Sequence, residues 1–321
     1  MKSSPNAPTL ASRYRGALLG LATGDALGTT VEFKPPGSFE PLTDMVGGGP
    51  FRLKPGQWTD DTSMALCLAE SLLECNGFDA VDQMQRYVRW NDEGHWSSTG
   101  SCFDIGGATS SALRAFRRTG NGFSGSTDSA IAGNGSLMRL VPIPLFFARD
   151  PELALRMAAD SSRTTHGSAT AVDACRYFAG LIIGALGGAS KEELLSERYS
   201  PLPTPWGPNQ LHLAVTAIAS GSFRGKQASD VRASGFVLHT LEAALWAFAT
   251  TDDFASGALA AVNLGDDADT TGAVYGQLAG TFYGLEGIPA RWVEKLSMRQ
   301  EIWEMADRLH TKATSEGSAM A

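Results

Sequence analysis

Glycine recurs every fourth residue in two runs: Gly16, Gly20, Gly24 and Gly28 in one, Gly272, Gly276, Gly280 and Gly284 in the other. The residues between them are largely apolar or small, so both runs read as helices with one face stripped of side chains. An interior glycine costs a helix about 1 kcal/mol relative to alanine, and eight of them need a compensating gain. Close approach of two helix backbones supplies it, because bare faces meet more tightly than bulky ridges. The runs are therefore expected near the centre of a helix bundle. The same spacing marks membrane helices, but Asp25, Asp267 and Asp269 at the element ends and the shortness of the apolar runs argue against that. The longest such run, Phe178 to Ala189, falls well short of a bilayer.

Helical periodicity dominates the rest of the chain. Helices are predicted over Ala11 to Gly28, Thr59 to Glu74, Val81 to Trp90, Thr109 to Arg118, Pro151 to Arg163, Ala169 to Leu186, Gln210 to Ser220, Leu238 to Ala249, Asp253 to Asn263, Thr270 to Gly284 and Ala290 to His310. Strand signals are confined to Asp44–Val46 and Val237–Leu238, with no βαβ rhythm. The proline-rich segment Arg198 to Gln210 reads as a long surface loop inside one domain spanning residues 10–310. Residues 1–9 and 311–321 are expected to be flexible ends. The four cysteines form no CxxC pair and read as reduced thiols. With no signal-peptide pattern at the start, a cytoplasmic location is expected. A net charge of −8 disfavours stable binding to nucleic acid or to an anionic membrane. An anionic ligand would then need local help from cations or helix N-termini.

Two acidic clusters carry the chemistry. "GQWTDDT" sets Thr59, Asp60 and Asp61 at one helix start, and "NLGDDADTTG" sets Asp266, Asp267, Asp269, Thr270 and Thr271 at another. Taken singly, each has a structural explanation, since carboxylates at helix starts cap N–H groups and meet a favourable dipole. Taken together, four or five carboxylates converging on one pocket repel one another and recruit cations. Oxygen donors with few nearby histidines suit Mg²⁺ or Mn²⁺ better than Zn²⁺. EF-hand, HExxH, GxSxG and P-loop patterns are absent, and "GLATGDALG" lacks the order of a dinucleotide fingerprint.

Five blocks in order, "GALLGLATGDALGTTVE", "GQWTDDTSMAL", "GNGSLMRLVPI", "TTHGSATAVDA" and "LGDDADTTGAVYGQLAG", make the chain resemble the ADP-ribosylglycohydrolase family across nearly its whole length. The resemblance implies an all-α, compact multi-helix orthogonal bundle with a central cleft holding two Mg²⁺, or Mn²⁺. It implies metal ligands at Thr59, Asp60, Asp61, Asp267, Asp269 and Thr270, and catalytic roles for Glu32 and Asp104. Contacts to ADP-ribose are implied at Gly133, Asn134, Gly135 and His166, and the exposed backbone expected at Gly106 and Gly107 offers N–H donors to the pyrophosphate. Asp266 departs from the family's usual glycine and leaves the choice between Asp266 and Asp267 as ligand open. The implied reaction is hydrolysis of the glycosidic bond at the distal ribose of ADP-ribosylated protein, arginine-linked in the first instance, by a monomeric enzyme. Serine-linked, small-molecule or nucleic-acid adducts are alternative substrates. Metal-dependent phosphohydrolysis and non-catalytic ADP-ribose binding are the competing functions.

Overall fold

The computed structural model describes residues 7–203, 206 and 210–315. In chain order the α-helices are α1 Leu10–Gly28, α2 Asp60–Glu74, α3 Ala80–Glu93, α4 Gly107–Thr119, α5 Pro142–Phe146, α6 Pro151–Arg163, α7 Ala169–Leu186, α8 Lys191–Leu194, α9 Leu213–Ala219, α10 Val237–Thr250, α11 Phe254–Val262, α12 Ala268–Tyr283, α13 Ala290–Val293 and α14 Arg299–Ser315. Three short 3₁₀ helices and isolated β-bridges accompany them among the described residues, so the architecture is all-α.

The two glycine runs meet each other. A Cβ added at Gly16 would lie 2.2 Å from the Gly280 carbonyl oxygen, one at Gly20 2.4 Å from that of Gly276, and one at Gly24 1.9 Å from that of Gly272. Rising numbers on α1 face falling numbers on α12, so the two helices run antiparallel with backbones in contact. This seam explains the unusual glycine content, because any side chain there would strike main chain that cannot move aside. It also brings the C-terminal end of α1 to the N-terminal end of α12. Gly28 lies against Ala268 and Asp269, where an added Cβ would meet the Asp269 Cα at 2.4 Å. Gly284 differs from the other seven, since it stops α12 with φ 72° instead of lying inside it.

A single hydrophobic cluster surrounds the seam, with contributions from Tyr14 near one end of the chain to Ala313 near the other. By length and composition α7 is apolar enough to cross a membrane. Its side chains are nevertheless almost all buried inside the bundle, including Phe178, Leu181 and Ile182.

Several expectations are corrected. Val237–Leu238 begins α10 instead of an extended piece, and the Val237 N–H donates to the Ala132 carbonyl across the bundle. The predicted helix Ala290 to His310 breaks into α13 and α14, because the Ser297 N–H is taken by the Gly56 carbonyl and Met298 adopts φ 49°. Of the end expected to be flexible, residues 311–315 belong to α14, which buries Ala313, and residues 316–321 lie outside the described residues. At the other end Thr9 is ordered, with its hydroxyl capping α1 through the Ser12 N–H. The predicted helix from Gln210 starts later, at Leu213. The proline-rich loop lies partly outside the described residues, and within it Trp206 is buried against Tyr177.

Candidate active site

Carboxylates at helix starts ordinarily cap their own helix, and this chain does so repeatedly: Asp79, Asp150 and Asp253 each accept N–H groups of the helix they begin. The residues that precede the helices in the two acidic motifs do not, although Asp269 Oδ1, inside α12, accepts from the Thr270 N–H at 2.7 Å. Neither Thr59 before α2 nor Asp267 before α12 makes a side-chain cap. At α2 that work falls to Asp25, which reaches across from the seam. Its Oδ1 accepts from the Thr59 N–H and hydroxyl, both at 2.9 Å, and its Oδ2 from the Thr62 N–H at 3.1 Å and hydroxyl at 2.6 Å. Asp25 is fully buried, and burial, partly offset by these four donors, raises its carboxyl to about 6.

With the cap supplied from outside, the motif side chains are left to converge. Oxygens of Asp25, Asp61 and Asp269 lie within 4.8 Å of one another, and so do oxygens of Glu32, Asp104 and Asp269. Asp269 belongs to both groups. The Thr59 hydroxyl also lies 3.1 Å from Asp269 Oδ2 and 3.2 Å from Asp61 Oδ2. Asp60, Asp267 and Thr270 line the same cleft. Asp267 Oδ2 accepts from Asn134 Nδ2 at 2.7 Å, whereas Asp266 is exposed, which favours Asp267 as the inward member of the pair.

The cluster is electrostatically incomplete. None of the ion pairs among the described residues involves Asp25, Glu32, Asp60, Asp61, Asp104, Asp267 or Asp269. Glu32 Oε2 and Asp61 Oδ1 are buried without any hydrogen-bond partner. Burial first, then Asp269 and Asp104, drives the Glu32 carboxyl far above the carboxylate range. Burial and neighbouring carboxylates likewise raise Asp60, Asp61 and Asp269, while Asp104 is pushed up to about 7. Buried oxygens that lack donors and repel one another fit hard divalent cations, and the all-oxygen set of carboxylates and hydroxyls is of the right chemistry.

The cleft has a volume of about 430 Å³. Its wall away from the carboxylates is built from backbone. Gly106 begins α4 without a side-chain cap, and an added Cβ at Gly106 or Gly107 would meet nothing within 4 Å. The first amides of a thirteen-residue helix thus open onto the cleft, where they suit an anion such as a pyrophosphate. Gly133, Asn134 and Gly135 form the adjoining loop, held by the Asn134 N–H on the Gly235 carbonyl at 3.1 Å. The Asn134 amide is spent on Asp267 and on Thr240 at 2.8 Å, so that side chain braces the acidic wall. His166 is buried beside this loop.

All the sequence-predicted residues therefore meet at this cleft or, for Thr59 and Asp61, directly behind it. Asp25 is the participant that sequence reasoning left out. Its signal was a carboxylate between Gly24 and Gly28, inside a helix whose other residues call for burial. Trp58, which immediately precedes the acidic motif, is fully buried in the core.

Comparison with known proteins places the chain among relatives. A family model described as ADP-ribosylglycohydrolase matches residues 6–319. The chain is 44% identical over 302 residues to an ADP-ribosylarginine hydrolase of Pseudomonas putida, covering 94% of this chain and 78% of that protein. It is 32% identical to the ADP-ribosyl-[dinitrogen reductase] glycohydrolase of Rhodospirillum rubrum, covering 92% and 93%. A solved structure described as an ADP-ribosylglycohydrolase-related protein complex superposes with a TM-score of 0.83 at 46% identity, covering 95% of this chain and 99% of the other.

Proposed function

The chain belongs to the ADP-ribosylglycohydrolase family, and from that premise we propose that it removes ADP-ribose from arginine in modified protein, using two Mg²⁺ or Mn²⁺ ions. The observation that carries this reading is the pair of carboxylate groups sharing Asp269, with orphaned oxygens on Glu32 and Asp61, beside a cleft of about 430 Å³. When bound, the cations would orient the ribose hydroxyls and acidify a water near the anomeric carbon.

The chain's own residues supply the rest. Glu32, whose carboxyl is raised by burial and by Asp269 in the cation-free protein, is the group that transfers a proton at the scissile bond. Asp104 stands beside it to orient the ribose or assist the nucleophile. The amides of Gly106 and Gly107 and the loop Gly133–Gly135 receive the pyrophosphate end. A neutral His166, its basicity lowered by burial to about 3, gives a polar contact without adding charge.

Two observations support arginine as the linkage. Relatives from Pseudomonas putida and Serratia proteamaculans, 44% and 40% identical, carry the name ADP-ribosylarginine hydrolase. In this chain the rings of Phe33, Phe51 and Phe103 form a ledge, with centroids 6.2 Å and 5.2 Å apart, and Phe33 is 62% exposed. Phe33 follows Glu32 and Phe103 precedes Asp104, and an aromatic face beside carboxylates suits a guanidinium. We place the reaction in the cytoplasm and assign it to a monomer whose four cysteines are unpaired thiols.

A panel of arginine-, serine- and nucleic-acid-linked ADP-ribose, assayed with Mg²⁺, Mn²⁺ and chelator, tests the reading. Free ADP-ribose from the arginine adduct, lost on chelation, is expected. AMP or inorganic phosphate as product would indicate phosphohydrolysis instead, and turnover unaffected by chelator would remove the cations from the account.

A further inference from the structure

Arg139 is fully buried and makes none of the ion pairs found among the described residues. Its guanidinium lies 4.6 Å from the Tyr87 ring centroid and donates to the Gly135 carbonyl at 3.0 Å, the Thr164 hydroxyl at 3.2 Å and the Thr165 hydroxyl at 2.7 Å. A buried arginine without a carboxylate is costly to keep, and nothing in the proposed chemistry uses it.

The Thr165 contact has a directional consequence. A guanidinium only donates, so the Thr165 oxygen accepts from Arg139, and its single proton is left for another acceptor. That acceptor is His166 Nδ1, 2.8 Å away. An Nδ1 that accepts carries no proton, and a neutral imidazole then carries its proton on Nε2. The backbone that carries the ring is held as well, with room left for the ring. The His166 N–H donates to the Ser162 carbonyl at 2.7 Å, its carbonyl accepts from the Ser162 hydroxyl at 2.8 Å, and a Cβ at Gly133 or Gly135 would stand 3.2 Å from Nε2. His166 lines the cleft, and no hydrogen bond to its Nε2 exists among the described residues.

We propose that Arg139 and Thr165 are positioning residues that fix the tautomer of His166, so that the cleft is offered an Nε2–H donor for an oxygen of the ADP-ribose moiety. The inference rests on the reading that this cleft takes ADP-ribose. It also accounts for the two glycines flanking Asn134, which leave room for the ring.

The test pairs a tautomer measurement with a binding measurement. Long-range ¹H–¹⁵N correlation on the histidine-labelled full chain should show His166 protonated at Nε2 and bare at Nδ1 at neutral pH. Thr165→Val removes the hydroxyl at nearly constant volume; it should mix the tautomers and weaken ADP-ribose binding, measured calorimetrically with Mg²⁺ present, about tenfold. Thr165→Ser should restore both. A wild-type ring protonated at Nδ1 overturns the proposal, and that result needs no variant to fold. Altered tautomers in Thr165→Val with unchanged ADP-ribose affinity overturn it too. Wild-type release of ADP-ribose, assayed separately, tests the functional reading, so the two failures are distinguishable.

Discussion

The two walls of the cleft solve opposite problems. The acidic wall, from Glu32, Asp60, Asp61, Asp104 and Asp269, gathers groups that repel and leaves two buried oxygens without donors. The loop wall, from Gly106, Gly107, Gly133, Gly135 and His166, is neutral, and its histidine is held in place by hydrogen bonds before any ligand arrives. One wall is electrostatically incomplete by itself, and the other is preorganised as it stands. Rigidity behind the acidic wall makes that incompleteness tolerable, because the seam of α1 and α12 fixes Asp25 and Asp269 where relaxation would otherwise pull like charges apart.

The comparison predicts unequal responses. The largest effect is expected for Asp269→Asn, which strikes both carboxylate groups: a loss of several kcal/mol of transition-state stabilisation, about 100- to 1,000-fold in kcat. Circular dichroism and melting should show the fold retained, since one repelled charge has been removed. Turnover within a few-fold of wild type would break the assignment of Asp269 to both groups.

Asp25→Asn comes next. Its four accepted hydrogen bonds hold Thr59 and Thr62, and an amide nitrogen cannot accept from them. Although Asp25 belongs to one of the two carboxylate groups, both its oxygens are already taken by these donors, so its loss should act through Thr59, costing about 10- to 100-fold in cation affinity or activity while leaving the number of bound cations unchanged. A drop in that number would make Asp25 a ligand in its own right.

On the loop wall, Gly106→Val meets no neighbour within 4 Å, so the fold should tolerate it while the branched side chain enters the cleft. KM should rise about tenfold, roughly 1.4 kcal/mol, with cation binding unaltered. An equal loss of cation affinity would mean that the walls are not independent.

The smallest effect concerns pH. In the cation-free protein the carboxyls of Asp25 and Asp104 stand raised, to about 6 and about 7, chiefly by burial. A raised carboxyl binds its proton more tightly when folded, so its stabilising contribution is full below the unfolded value near 4 and is lost as pH rises through about 6 to 7. The melting temperature of chelated protein should therefore fall, relative to Mg²⁺-saturated protein, between about pH 5 and pH 8. Parallel melting profiles would show that the cluster does not couple protons to cations.

Much of this was legible in the residues. The glycine spacing pointed to close-packed helices, and the five blocks placed the acidic motifs and the loop wall on one cleft. What escaped reading depended on contacts distant in sequence. Asp25 lies in the glycine run, but its partners Thr59 and Thr62 are 34 and 37 residues away. The break between α13 and α14 leaves the helical pattern intact and comes from the Gly56 carbonyl. Val237 looks extended by residue type, yet its tertiary burial makes it the first residue of α10. The four-residue α8 carried a readable capping box, Ser190 with Glu193, but is too short for periodicity to reveal.

The central claim is that the acidic wall holds a pair of divalent cations through the shared carboxylate of Asp269. Equilibrium Mn²⁺ binding to the wild-type chain and to Asp269→Asn, followed by electron paramagnetic resonance, tests it most directly. The account predicts two Mn²⁺ per wild-type chain, magnetically coupled, and loss of the coupled pair in the variant. One isolated Mn²⁺, or a coupled pair that survives in Asp269→Asn, would contradict it.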